Sequence, residues 1–266
     1  MSLFIPLCSS SGGNAVFVGS RNAGVLIDVG CSFKRLRESL ALCGTSLDAV
    51  KAVLITHEHI DHVKGLFQIT KHTDIPIYAT KGTLNYLSQN NQVFSNTNLY
   101  EISADSEIQN VPVDYRIKAF RTSHDASESV GFTLEKNDCK IAYCTDSGKV
   151  TPEIRENMRG ADFVFLESNY QPELLQSNPR YPYYIKRRIS SETGHLSNID
   201  CAEFLTELVD FGAVRFILGH LSRENNTPAL AYEKAERRLF GHGAVNGRDY
   251  TLEIAPVVSE GKVIAV

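Results

Sequence analysis

Residues 56–62 read Thr-His-Glu-His-Ile-Asp-His. The chain has eight histidines in 266 residues, so three in this stretch point to a site rather than to packing. Neutral imidazole nitrogens with a carboxylate are ligands for Zn, Mn or Fe. The run Ala52-Val53-Leu54-Ile55 just before them reads as a buried strand. The cluster therefore belongs to a loop at a strand's C-terminal end, where α/β folds place chemistry. In an extended segment, alternation puts His57, His59 and Asp61 on one side and turns His62 away. A loop of that kind serves two metal centres.

Other polar residues also stand where predicted strands end: Asp28, His124, Asp146, Glu167 and His220. A binuclear hydrolase needs three to four protein ligands per ion and a bridging group. His57, His59 and His124 suit one ion, Asp61, His62 and His220 the other, with Asp146 between them. A water shared by two cations ionises near neutral pH and becomes the nucleophile. Taken singly, His124 and His220 also read as structural loop histidines. Asp146-Ser147-Gly148 also reads as a turn, and Glu167 as a helix cap or the partner of an arginine.

The elements that must position these residues follow from pattern. Leu3–Leu7 and Ala15–Val18 read as a strand pair, with Gly12-Gly13-Asn14 supplying positive-φ turn residues. A strand over 24–29, a helix over 33–43 between Ser32 and Gly44, and a strand over 50–55 come next. A helix over 63–70, a strand over 76–79 and a helix over 81–89 follow. The alternation from Val111 to Ala119 predicts a strand, and Asn137-Asp138 a hairpin between strands 129–136 and 139–144. Strands over 162–166 and 214–218, helices from Asn198 or Asp200 to about 210 and over 228–240, and strands over 250–254 and 262–265 complete the chain. Polar chemistry at six strand ends implies one domain over 1–266: an α/β sandwich of two sheets with helices outside, in αββα order.

These residues, in this order, resemble the metallo-β-lactamase superfamily: His-x-His-x-Asp-His at 57–62, then His124, Asp146 and His220. The resemblance implies that Asp28 supports the histidine loop from behind without being a ligand. Glu167, in Val-Phe-Leu-Glu-Ser-Asn-Tyr (164–170), and His195, in Gly-His-Leu-Ser-Asn (194–198), are similar to positions in the superfamily's nucleic-acid phosphodiesterases. In those, the matching histidine protonates the leaving oxygen and a carboxylate orients it. The resemblance thus makes His195 the general acid and Glu167 its partner, with His195 as a plain helix-flanking residue the other reading. Asp61, His195 and Glu167 are the implied catalytic set. Residues 147–194 leave no room for a β-CASP cap, and no glycine-rich arm of the tRNase Z kind is present. Ser9–Asn14, Gly194–Asn198 and His220-Leu-Ser-x-x-Asn-Asn226 resemble the bacterial WalJ/YycJ-type family, which is associated with 5′-to-3′ exonuclease action on double-stranded DNA. That implies two divalent ions, a bridging hydroxide as nucleophile, and duplex DNA with a 5′ end as substrate.

Residues 180–188 read Arg-Tyr-Pro-Tyr-Tyr-Ile-Lys-Arg-Arg. Arg180, Tyr184, Lys186, Arg187 and Arg188 suit phosphate contacts and base stacking. A solvated loop with inward tyrosines is the alternative. Arg223, Asn225, Asn226 and Asn14 are candidate contacts to phosphate oxygens, as are the backbone N–H groups of the Ser9–Asn14 turn. His72 and His242 have no role in this reading. Net charge is −4, which two divalent ions cancel, so a polyanionic substrate is compatible. At 42% hydrophobic and 22% charged residues, with no run near ~20 apolar residues and no basic, apolar leader at the N-terminus, a soluble protein is expected. Six scattered cysteines without a C-x-x-C pair fit the cytoplasm. The competing function is a small-molecule hydrolase of the same fold, acting on a thioester, lactone or cyclic phosphodiester, which has no use for 180–188. A non-catalytic binding protein would not need the full ligand set.

Overall fold

The computed structural model describes residues 2–95 and 97–266. The chain forms two compact units. The first comprises the chain up to Ala119 with Ala126–Val130 and Pro256–Val266; the second comprises Phe120–Asp125 and Gly131–Ala255.

In the first unit, β1 (Leu3–Ser10) and β2 (Gly13–Gly19) form an antiparallel hairpin closed at Ser10 and Gly13. Both strands are longer than their apolar runs predict. Gly12, Gly13 and Asn14 do not have the positive φ expected of them. Gly13 is required by proximity instead: a Cβ there would lie 2.6 Å from the Gly30 carbonyl oxygen. β3 (Gly24–Ile27) pairs antiparallel with β2. Then β4 (Val50–Leu54), β5 (Ile77–Thr80) and β6 (Leu99–Ile102) add in parallel, while β13 (Ile264–Ala265) pairs with β1. The sheet order is β13-β1-β2-β3-β4-β5-β6.

Ile5, Phe17, Leu26, Val53 and Ile77 share a core with Leu36 and Leu40 of α1 (Phe33–Leu42), Leu66 and Ile69 of α3 (Leu66–His72), and Leu87 of α4 (Lys81–Gln89). Burying each such side chain is worth roughly 1.5–3 kcal/mol. The Ser32 hydroxyl accepts the Arg35 N–H at α1's start, a cap worth about 1 kcal/mol. The helix expected over 63–70 is interrupted. A short α2 (Ile60–Val63) precedes it, and the Gly65 N–H leaves the helical ladder for the Val29 carbonyl (2.8 Å).

In the second unit, β8 (Val130–Lys136) and β9 (Cys139–Cys144) form the predicted hairpin, with Asn137 left-handed at φ 52°. β9, β10 (Phe163–Glu167), β11 (Arg215–Gly219) and β12 (Thr251–Ile254) run parallel. The order is β12-β11-β10-β9-β8-β7, where β7 is Arg116–Arg121. The strand predicted over 111–119 therefore begins only at Arg116. Before it the chain turns, with the Val113 N–H on the Val111 carbonyl (2.8 Å).

Val164, Leu166, Phe216 and Leu218 pack with Ile154 and Met158 of α5 (Pro152–Met158), Phe204, Leu205 and Leu208 of α8 (Asn198–Asp210), and Leu239 of α9 (Pro228–His242). Ser197, rather than Asn198 or Asp200, caps α8, because its extended backbone lets the hydroxyl accept the Asp200 N–H. The short α6 (Pro172–Ser177) and α7 (Tyr183–Ile189) lie between β10 and α8. None of the described helices is long and apolar enough to cross a membrane.

Parallel pairing has a direct consequence: strands that run the same way end at the same edge. β3 and β4 deliver Asp28 and Thr56–His57 to one edge of the first sheet. β9, β10 and β11 deliver Asp146, Glu167 and His220 to one edge of the second.

The backbone behind the first of these edges leaves no room for a side chain. A Cβ on Gly30 would sit 1.7 Å from the Asp61 carbonyl oxygen and 2.3 Å from the Asn14 nitrogen, both main-chain atoms. Gly30→Ala is predicted to cost ~1–3 kcal/mol or more, read as a lower midpoint in urea unfolding. A wild-type midpoint would show that this junction yields freely.

Candidate metal centre

The first unit gathers His57, His59, Asp61 and His62. The segment is extended only as far as His59; helix α2 then begins, which overturns the expectation that His62 turns away. The helical turn brings the His62 ring to 4.2 Å from that of His57, centroid to centroid, and the His59 ring lies 4.6 Å from His57. His62 Nε2 lies 3.5 Å from Asp61 Oδ2.

Asp28 sits fully buried behind them. Its carboxylate accepts the Thr56 N–H (2.8 Å), the Thr56 hydroxyl (2.9 and 3.1 Å) and His62 Nδ1–H (2.8 Å). Burial pushes the Asp28 carboxyl above its usual range, and His62 and Thr56 oppose the shift. Because the Thr56 hydroxyl donates to Asp28, its oxygen is left to accept His57 Nδ1–H (3.0 Å). Asn14 is buried, and its amide NH2 faces Ser10 O (3.1 Å), His62 Nε2 (3.2 Å) and Asp61 Oδ2 (3.4 Å). It is turned into the cluster, beside two of the candidate ligands. The Ser9 N–H is likewise taken, by the Pro256 carbonyl.

Two residues that the sequence reading gave no role matter here. Thr56 links Asp28 to His57. Glu58, buried between two of the histidines, accepts both the N–H and the hydroxyl of Ser127 at 2.7 Å. With Val130 N–H on Thr56 O (3.0 Å), it fastens the strap Ala126–Val130 to the histidine loop. Nothing in the sequence separates Glu58 from an ordinary loop carboxylate.

The second unit gathers His124, Asp146, Glu167, His195 and His220. Asp146 Oδ1 lies 3.6 Å from His124 Nε2, 3.6 Å from His220 Nε2 and 3.4 Å from His195 Nδ1. Donor atoms of Asp146, Glu167, His195 and His220 all fall within 4.8 Å of one another. Both Glu167 oxygens are taken up by hydrogen bonds. Its Oε1 accepts His195 Nδ1–H (2.8 Å) and His220 Nδ1–H (2.7 Å), and its Oε2 accepts the Ser147 and Leu196 N–H groups (3.2 and 3.1 Å). Burial alone would raise the Glu167 carboxyl, but His195 and the bonds from both imidazoles hold it below the ordinary glutamate value. His124 Nδ1–H donates to Gly194 O (2.9 Å). Asn169, also missed in the sequence, donates to the His220 carbonyl (2.8 Å); its place two residues past a strand-end glutamate was the available signal.

The donor set fits divalent metal. Carboxylates and carbonyls only accept hydrogen bonds, so they fix the proton on Nδ1 of His62, His124 and His220, and the Thr56 hydroxyl does so for His57. Each ring then presents an unprotonated Nε2, the form a ligand needs. His195 differs. Its side chain is 18% exposed, and its Nδ1–H donates to Glu167. Asp28, Asp146 and His220 also share a left-handed backbone, with φ of 62°, 55° and 54°. Asp and His tolerate that region better than most residues, yet it still costs free energy and persists only where the surroundings enforce it.

The remaining candidates divide. Asn225 and Asn226 are buried and committed internally. Asn225 Oδ1 accepts from Asn178 (2.7 Å), and the Asn226 amide bonds Ser168 O, Asn169 O and Asn198. The expectation that they meet phosphate is thereby corrected. Arg223 is exposed. The run 180–188 is largely helical and exposed: Arg180 pairs with Glu224 (2.7 Å), Arg188 with Asp125 (3.0 Å), and Lys186 reaches Gln176 O. His72 stacks on Phe33 and His242 pairs with Asp210, both away from these clusters.

Residues 24–221 match the beta-lactamase superfamily domain. The chain is 33% identical over 246 residues to exodeoxyribonuclease YycJ of Bacillus anthracis, covering 90% of this chain and 91% of that one. It is 30% identical over 230 residues to exodeoxyribonuclease WalJ of Streptococcus pneumoniae, covering 85% and 84%. Among solved structures, Zn(2+)-bound PqqB from Methylobacterium extorquens superposes over the whole of both chains with a TM-score of 0.74 at 18% identity, a likeness of fold. The chain belongs to the metallo-β-lactamase superfamily of hydrolases and has its two-sheet α/β fold, as the motif order implied.

Asp28→Asn keeps the shape but leaves one acceptor oxygen facing three donors. It should weaken Zn²⁺ binding about 10–100-fold, measured by competition with a chromogenic chelator. Unchanged affinity would mean that Asp28 does not orient His62.

Proposed function

We propose that this hydrolase is a metal-dependent phosphodiesterase, a 5′-to-3′ exonuclease acting on duplex DNA. His57, His59 and His124 would hold one divalent ion and Asp61, His62 and His220 a second, with Asp146 shared between them. Zn²⁺ or Mn²⁺ suits these ligands, and Fe is compatible. The reading takes residues 1–266 as one domain. Six free cysteines agree with the cytoplasm as its compartment.

When bound, such ions supply Lewis acidity and lower the pKa of water near neutral. The chain's own residues supply the rest. Asp28, Thr56, Gly194 O and Glu167 keep the ligating imidazoles neutral at Nε2. As an imidazolium, with Nδ1–H held and oriented by Glu167, His195 gives its Nε2 proton to the leaving sugar oxygen and becomes the neutral ring.

The observation that carries this reading is the Glu167–His195 pair at 2.8 Å, set beside Asp146. A sugar alkoxide is a poor leaving group and needs a proton donor, worth ~10²–10⁴-fold. A thioester or other activated small ester has little use for one. The exodeoxyribonuclease names of two full-length relatives support DNA as the polymer.

The leaving group makes the reading testable. His195→Ala should retain metal and lose ~10²–10⁴-fold on end-labelled duplex DNA, while bis(p-nitrophenyl) phosphate, whose phenolate leaves without help, is hydrolysed at near the wild-type rate. Equal loss on both substrates, or none on DNA, would remove His195 as the acid. Asp146→Ala should abolish turnover and lower metal content; normal turnover would contradict its shared position. Release of label from the 5′ end before the 3′ end checks polarity.

A further inference from the structure

Helix α7 is an exception among the elements of the second unit: none of its seven residues is buried. Tyr183 and Tyr184 are 72% and 70% exposed, the highest values among the exposed large hydrophobic side chains of the described residues. Aromatic rings gain stability by burial, so two adjacent rings held in water invite a partner. The helix sets a cation one turn beyond each ring: Arg187 after Tyr183 and Arg188 after Tyr184. The Arg187 guanidinium lies 5.9 Å from the Tyr183 ring centroid. The face thus carries aromatic planes and positive charge together on a chain whose net charge is −4.

The helix is also tied to the acid. Its last residue, Ile189, accepts the His195 N–H (2.9 Å). Arg188 pairs with Asp125, the neighbour of His124, and the Asp125 N–H bonds Thr193 O (3.0 Å). At 1.5 Å per residue, Tyr184 stands only about 8 Å along the helix from the peptide that anchors His195. Stacked bases repeat at about 3.4 Å, so that length spans about two of them.

We infer that α7 is a stacking platform for unpaired bases at the end of the strand being cut, with Tyr183 and Tyr184 as the stacking faces and Arg187 on the flanking phosphate. The inference rests on the nuclease reading above and adds the substrate class: DNA ends with single-stranded or frayed nucleotides. Charge and ring type select this occupant. A polyanion answers the basic groups, and an open base face answers each ring. Inside a duplex both faces of every base are already taken, so the platform acts only on nucleotides outside it.

The test uses the full-length, metal-loaded protein with three substrates: a duplex carrying a short 5′ overhang, the same duplex blunt, and bis(p-nitrophenyl) phosphate. Tyr183→Ala/Tyr184→Ala is expected to lower kcat/KM on the overhang by about five- to hundred-fold per ring and to affect the blunt duplex less. The nitrophenyl ester should be unaffected, and Tyr183→Phe/Tyr184→Phe should behave as wild type. A 2-aminopurine placed in the overhang should be quenched by wild type and by the Phe variant, and not by the Ala variant. Unchanged overhang cleavage by the Ala variant, or a Phe variant as impaired as the Ala variant, overturns the platform. So does a parallel loss on the nitrophenyl ester, which would mean a structural role. Loss of a dimer in sedimentation with DNA kinetics unchanged would assign the face to a second copy of the chain and also overturn it. If wild type hydrolyses the ester and no nucleic acid, the nuclease reading has failed, and the quenching experiment still decides the platform separately.

Discussion

Each imidazole cluster depends on one carboxylate that water does not reach. Asp28 in the first unit and Glu167 in the second are fully buried and accept hydrogen bonds on both oxygens. An ionised carboxylate in such a place is unfavourable unless its lone pairs are satisfied. Here Thr56, Ser147 and Leu196 supply backbone and hydroxyl donors, and the histidines supply the rest. The same bonds fix which ring nitrogen carries the proton, so satisfying the carboxylate and preparing the ligand are one arrangement. The opposite directions of the two shifts follow from their donors: Glu167 has two imidazoles on one oxygen, Asp28 has one imidazole and a threonine.

Parallel strands place these carboxylates. β3 with β4, and β9 with β10 and β11, end at common edges, so residues far apart in sequence arrive side by side. This much was legible in the chain. Short apolar runs closed by Asp28, His57, Asp146, Glu167 and His220 announce buried strands and the positions where polar groups emerge from them, though not the strands' directions. The order of those residues carried the superfamily assignment before any coordinates, and the Asn137-Asp138 hairpin and the Ser32 cap were legible for similarly local reasons.

What was not legible depended on partners distant in sequence. Alternation over Val111–Tyr115 has the period of a strand, but this segment turns back on itself before β7 begins. Helix α2 is a single turn, too short for periodicity to reveal, yet it decides where His62 points. Asn225 and Asn226 have the composition of a phosphate site, and only the fold shows that Asn178, Asn198 and the Ser168–Asn169 backbone already occupy them. Gly13 resembled a turn glycine because sequence reports the residue and not its reason; the reason is the Gly30 carbonyl against it.

The left-handed backbones of Asp28, Asp146 and His220 set stability and activity against each other. For a residue with a Cβ this conformation costs on the order of 1–2 kcal/mol, and glycine at any of the three would relieve it. Glycine would also take away the side-chain bonds made there, as at Asp28, where Thr56 and His62 would lose their acceptor. The ends of β3, β9 and β11 are thus places where backbone strain is held in check by what the side chains bind.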